Sequence, residues 1–94
     1  MISMIPARVL PLRLLAGTYS ERRFELREET LYYAHTHYRR VHRLIRLNGN
    51  TFMVEGVPGL LLRFDGRDGG SPTGVAGLYD DGRRDYSPRT AGIR

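Results

Sequence analysis

Ninety-four residues, a net charge of +5 and no cysteine describe a small chain from which disulfides, thiolate chemistry and cysteine-based zinc knuckles are excluded. A core of this size is marginal by itself, so a homo-oligomer is expected. All fifteen basic residues are arginine, whose planar fork of donors suits phosphates, carboxylates and aromatic faces.

The opening MISMIPARVLPLRLLAG is apolar but is interrupted by Arg8, Arg13 and two prolines. No continuous run approaches the roughly 18 apolar residues of a membrane span. A secretory leader would carry its positive charge ahead of the apolar run. No membrane association is therefore expected, and the cytoplasm is the expected compartment. Within this stretch ARVLPLRLL predicts a strand, broken or held at an edge by Pro11.

Residues 20 to 47 support two readings. Phe24, Leu31, Tyr38, Val41 and Ile45 recur at helical intervals, Thr18 with Glu21 forms a candidate capping box, and Asn48-Gly49 supplies a C-terminal stop. Against this, RRFEL and TLYYAHTHY read as strands separated by a polar REE, and YRRVHRLIRL pairs with NTFMVEG across Asn48-Gly49. The strand reading is preferred, because an uncapped helix of some 27 residues is long for so small a chain. A short helix near residues 19 to 28 or 30 to 43 is the mixed alternative.

NTFMVE and LLLRF, at 50 to 55 and 60 to 64, read as strands joined through Gly56, Pro58 and Gly59. From Asp65 onward seven glycines and two prolines fall among thirty residues, too little apolar surface to fold alone. The expected architecture is a small β-rich core over 1–64, an antiparallel sheet with one short helix as its α+β variant. A glycine-rich extended or flexible tail over 65–94 completes it.

Charge is concentrated in the middle of the chain. Residues 21 to 47 hold seven arginines against four glutamates, whereas residues 65 to 94 balance five arginines with five aspartates. Arg39, Arg40, Arg43 and Arg46 meet no acid between residues 35 and 47, which points to contact with the phosphate backbone of DNA or RNA. Tyr33 and Tyr38 are candidates for stacking on unpaired bases. No RNP-like aromatic pattern, GXXG clamp or zinc-finger spacing selects the polymer.

His35 and His37 share a strand face, but nothing fixes the further ligands that zinc needs, so no metal is expected. With His42 they are also conceivable acid and base groups for RNA cleavage. Histidines on a basic face more often do no chemistry, and a non-enzymatic module is expected. GRDGGSPTG lacks the Lys-Ser/Thr end of a phosphate-binding loop, and Asp65 to Asp68 lacks the oxygen series of a calcium loop, so no cofactor is expected. The alternative function is a small protein-interaction or inhibitory module, or an assembly subunit such as one of a phage particle, whose basic face meets an acidic partner.

Overall fold

The computed structural model describes residues 9–65 and 71–92. Period-two alternation dominates the sheet. In β2 (Arg22–Arg27) the first and third residues are buried and their neighbours exposed, and β3 (Thr30–His35) buries Leu31 and Tyr33. With β1 (Gly17–Tyr19), β4 (Val41–Asn48), β5 (Thr51–Val54), β6 (Leu60–Phe64), β7 (Gly74–Tyr79), β8 (Arg84–Pro88) and β9 (Ala91–Gly92) they form one antiparallel meander in the order β8-β7-β6-β5-β4-β3-β2-β1-β9. The β-rich expectation is met, and the elements within residues 20 to 47 are the strands β2, β3 and β4 joined by turns.

The two edges of this sheet belong to one stretch of chain. β8 pairs with β7, and two residues later β9 pairs with β1. At the changeover Arg89 N–H still donates to the Thr73 carbonyl, whereas Thr90 N–H donates to that of Thr18. The last run thus changes partners and draws the sheet round into a near-barrel, in which β9 pairs with β1 while β8 reaches the β1–β2 turn and β2 through side chains, Ser20 to Pro88 and Arg22 to Asp85 and Ser87. The glycine-rich segment expected as an extended or flexible tail is extended, but as strands of the wall. Val75 in β7 is fully buried. Gly74 and Gly77 are spaces that other side chains fill, which lets a segment of low apolar content lie in the wall. Residues 66–70 and 93–94 of that segment lie outside the described residues.

The expected N-terminal strand is instead a single helical turn, α1 (Leu12–Leu15), with its first residues outside the described range. Pro11 precedes it, where proline's missing N–H costs nothing and its fixed φ suits entry to a helix. The turn seals one end of the barrel. Leu10 and Leu15 are buried with Tyr19, Phe24, Phe52 and Phe64, whose rings meet mostly edge to face. Arg89 locks the seal by donating to the carbonyls of Leu14 and Ala16 at 3.0 and 2.6 Å.

The β4–β5 turn falls one residue later than expected, on Gly49 and Asn50, with a bulge between Arg46 and Asn48. Asn50 is buried and its Oδ1 accepts from Leu10 N–H at 2.9 Å, so the turn is set by the contact with the N-terminal segment. Gly49 takes the positive φ, 57°.

Candidate binding site at the barrel mouth

The end opposite α1 is open. It is rimmed by the β1–β2 turn, the β3–β4 loop over residues 36–40, the β5–β6 loop and the β7–β8 turn. A cavity of about 900 Å³ opens there, with Arg22, Tyr33, His35, His42, Tyr79 and Asp85 among its lining residues and Tyr38, Arg39 and Arg40 at its rim.

Deep in the mouth Arg22 is buried, and each of its five N–H groups has an acceptor. Nε donates to the Tyr33 hydroxyl, Nη1 to Asp85 Oδ1 at 2.7 Å and to Ser87, and Nη2 to Asp85 Oδ2 and to the Tyr79 hydroxyl. Tyr79 O–H in turn donates to Asp85 Oδ2 at 2.7 Å. Burial by itself would lower the Arg22 pKa, but the bonds to Asp85 and Tyr33 outweigh it and hold the guanidinium above its ordinary value. For Asp85 burial pulls upward, and the bonds from Arg22 and Tyr79 keep the carboxyl below the usual range. The pair is a closed unit that leaves Arg22 no donor for a ligand.

The rim loop rests on the β1–β2 turn. Thr36 N–H donates to the Glu21 carbonyl, and His37 Nε2 lies 2.6 Å from Glu21 Oε2. The bond to His37 holds the Glu21 carboxyl below its ordinary value. His35 Nδ1 accepts from His37 N–H, so in neutral His35 the proton sits on Nε2. His42 Nδ1 donates to the Glu55 carbonyl, which leaves Nε2 as the acceptor of the neutral ring. Tyr38, 69 % exposed, leans on the His35 ring with centroids 5.0 Å apart.

The six residues expected to bind nucleic acid divide three ways. Tyr38, Arg39 and Arg40 stand together, exposed at the rim, and neither arginine makes a hydrogen bond or ion pair with the described residues. Tyr33 reaches the same cavity from the wall, but it is 6 % exposed and stacked on Phe24. Arg43 is on the outer face of β4, paired with Glu55 at 2.8 Å. Arg46 lies toward the sealed end, donating to the Leu10 carbonyl at 2.7 Å with its guanidinium over the Phe52 ring, where burial lowers its pKa.

Arg22 and Asp85 were not singled out from sequence, whereas Tyr79 was expected to dock on the core or a neighbouring subunit and does pack against the core. Arg22 shares parity with Phe24, an available hint that it points inward, but no local signal links it to residue 85. Compared with models of known protein families, with curated protein sequences and with solved structures, the chain has no match. No helix among the described residues is long and apolar enough to cross a membrane, and no group of three or more metal-ligating side chains among them is placed to hold an ion.

Proposed function

We propose that the protein is a non-enzymatic binding module whose site is the open barrel mouth, and that it takes single-stranded nucleic acid. The observation that carries this reading is the placement of Tyr38, Arg39 and Arg40 side by side and exposed over a cavity lined by further aromatic and imidazole rings. Exposed guanidinium groups neutralise phosphates, and rings offer stacking faces to unpaired bases. A duplex has neither free base faces nor an end narrow enough for such a cup. Of the arginines first expected to bind phosphate, Arg39 and Arg40 carry the proposal, because Arg43 is neutralised by Glu55 and Arg46 is committed to the sealed end.

The test is fluorescence anisotropy with labelled single- and double-stranded DNA and RNA at low and near-physiological salt. Single strands should bind more tightly than duplexes, and Arg39→Ser with Arg40→Ser should weaken binding. Unchanged affinity in the folded double variant sinks this reading.

A protein-interaction or assembly role is the second reading, supported by a different surface. Ile45, Met53, Leu61 and Leu78 are successive cross-strand partners on the outer faces of β4 to β7. Met53 is 40 % exposed, and Leu47 adjoins this apolar band. Bands of this kind rimmed by polar residues serve protein contacts, and Arg63 next to Leu61 suits an acidic edge on the partner. Sedimentation velocity of the wild type and Met53→Arg tests a second copy as the occupant: a dimer lost in the variant supports it, and a wild-type monomer removes it.

A further inference from the structure

Resting on the nucleic-acid reading, we infer that the barrel mouth captures the end of a single strand, with the terminal base inside the cup and the following phosphates leaving over Arg39 and Arg40.

The first argument is that the cup has no second exit. Beneath the lining residues Arg22, Tyr33, Leu60 and Tyr79 lies the packed cluster of Leu15, Tyr19, Phe24, Phe52 and Phe64, each no more than 2 % exposed, and α1 lies on that same sealed end. Its wall is continuous from β1 to β8 through hydrogen-bonded neighbours. Between β8 and β2, near the mouth, Arg22 bridges to Asp85 and Ser87. A polymer cannot thread such a cup. Whatever enters goes in from the top and stops.

The second argument is the distribution of charge with depth. The interior presents Tyr33, Tyr79, His35 and His42, while Arg22, the buried cation among the described residues that line it, is consumed by Asp85. A phosphate carried to the floor would lose its water and find no available donor from that guanidinium. A base would meet the His42 and Tyr79 rings and the His42 Nε2 acceptor, with Tyr33, stacked between Phe24 and His42, as their support. The cavity of about 900 Å³ falls within the roughly 300–1,000 Å³ of small-molecule pockets. The ring enters and the phosphates remain at the rim.

The third argument is that the rim is one-sided. Arg39 and Arg40 share the β3–β4 loop, whereas the β1–β2 turn carries Glu21 and the β7–β8 turn balances Asp80 and Asp81 with Arg83, bonded to Asp81 at 2.7 Å and lying over the Tyr79 ring, and with Arg84, which pairs with outward-facing Leu78. A base flipped out of mid-strand needs two outgoing paths for its flanking phosphates. One basic side provides one path, as a terminal nucleotide requires.

The experiment compares a short linear oligonucleotide with the same sequence circularised, as both DNA and RNA, by anisotropy against the full chain. A linear strand should bind at least about 10-fold more tightly than the circle. A nucleoside monophosphate should displace the linear strand, and a bulky blocking group on one of its two ends should abolish the preference. Equal binding of circle and line, or full binding of a strand blocked at both ends, overturns end capture while leaving nucleic-acid binding intact. Binding of neither form overturns the parent reading instead.

Discussion

Arg22 and Asp85 are 63 positions apart in sequence, yet their side chains meet through two hydrogen bonds of 2.7 and 3.2 Å across the barrel mouth. Arg22 begins β2 and Asp85 lies in β8, which are not neighbours in the hydrogen-bonded order. The pair therefore ties two parts of the wall that no backbone ladder joins. With Tyr33, Tyr79 and Ser87 it also commits every donor of Arg22, the buried guanidinium that lines the mouth.

Asp85→Asn should destabilise the protein by about 2 kcal/mol at neutral pH. Breaking a fully buried pair costs about 3–5 kcal/mol, and the Asp85 side chain is 44 % exposed, so solvent screening reduces the loss. The sign of the pH dependence follows from the depressed carboxyl. Its stabilisation is present above the unfolded value of about 3.9 and is lost as pH falls through the lower folded value. Urea titrations from pH 7 to 2 should show wild type and variant converging below about pH 4. A difference independent of pH would mean that the ionised pair is not the source of the effect.

Gly77→Ala should cost about 2–3 kcal/mol, the scale of an overpacked site that also strains a charge pair. A Cβ there would lie 2.5 Å from Asp85 Oδ1 and 2.8 Å from Arg22 Nη2. Both are held in place, Asp85 further by Gly77's own N–H at 3.1 Å. The loss should be less than additive with that of Asp85→Asn in chemical denaturation, since both act on one pair. Additive losses would separate the glycine from the network.

These residues mark the boundary of what the sequence could reveal. The β-rich class was legible because alternation is local: Arg22, Phe24 and Leu26 share one parity, and Leu31, Tyr33 and His35 another. The same rule, carried further, places Arg46 on the inward side with Leu44, although its positive charge pointed to phosphate. Gly74 and Gly77 read as flexibility because nothing near them in sequence announces Tyr86, Arg22 or Asp85 as their occupants. Barrel closure was illegible for the same reason. It depends on one run that changes partners between Arg89 and Thr90, from Thr73, 16 positions before it in sequence, to Thr18, 72 positions before it.

The β2–β3 hairpin carries removable strain. Arg27 pairs with Thr30, so Glu28 and Glu29 form a two-residue turn, and both have positive φ, 48° and 66°. Left-handed backbone costs an ordinary residue roughly 1–2 kcal/mol, whereas Asn-Gly accepts such a turn readily. Glu28→Asn with Glu29→Gly should raise stability by about 1 kcal/mol once glycine's greater unfolded-state entropy is deducted. The readout is the urea midpoint at constant m-value. A lower midpoint would show that the glutamate side chains contribute more than the turn strain costs.

The arginines of the central segment should separate by measurement into two kinds. Arg39 and Arg40 are exposed at the rim, so replacing each with serine should leave the unfolding midpoint nearly unchanged. If each neutralises one phosphate, its removal should lessen the slope of log K against log salt by about 0.7 for a single strand. Arg46→Ser should do the reverse. It removes the bond to the Leu10 carbonyl and the packing over Phe52, a loss of about 1–2 kcal/mol, while the salt slope of the variant that remains folded stays the same. Arg43 is the intermediate case, since an exposed pair such as that with Glu55 contributes about 0–1 kcal/mol. Denaturation and binding measured on the same four variants test the division directly: a change of salt slope at Arg46 equal to that at Arg39 would place the phosphate path along β4 instead of over the rim.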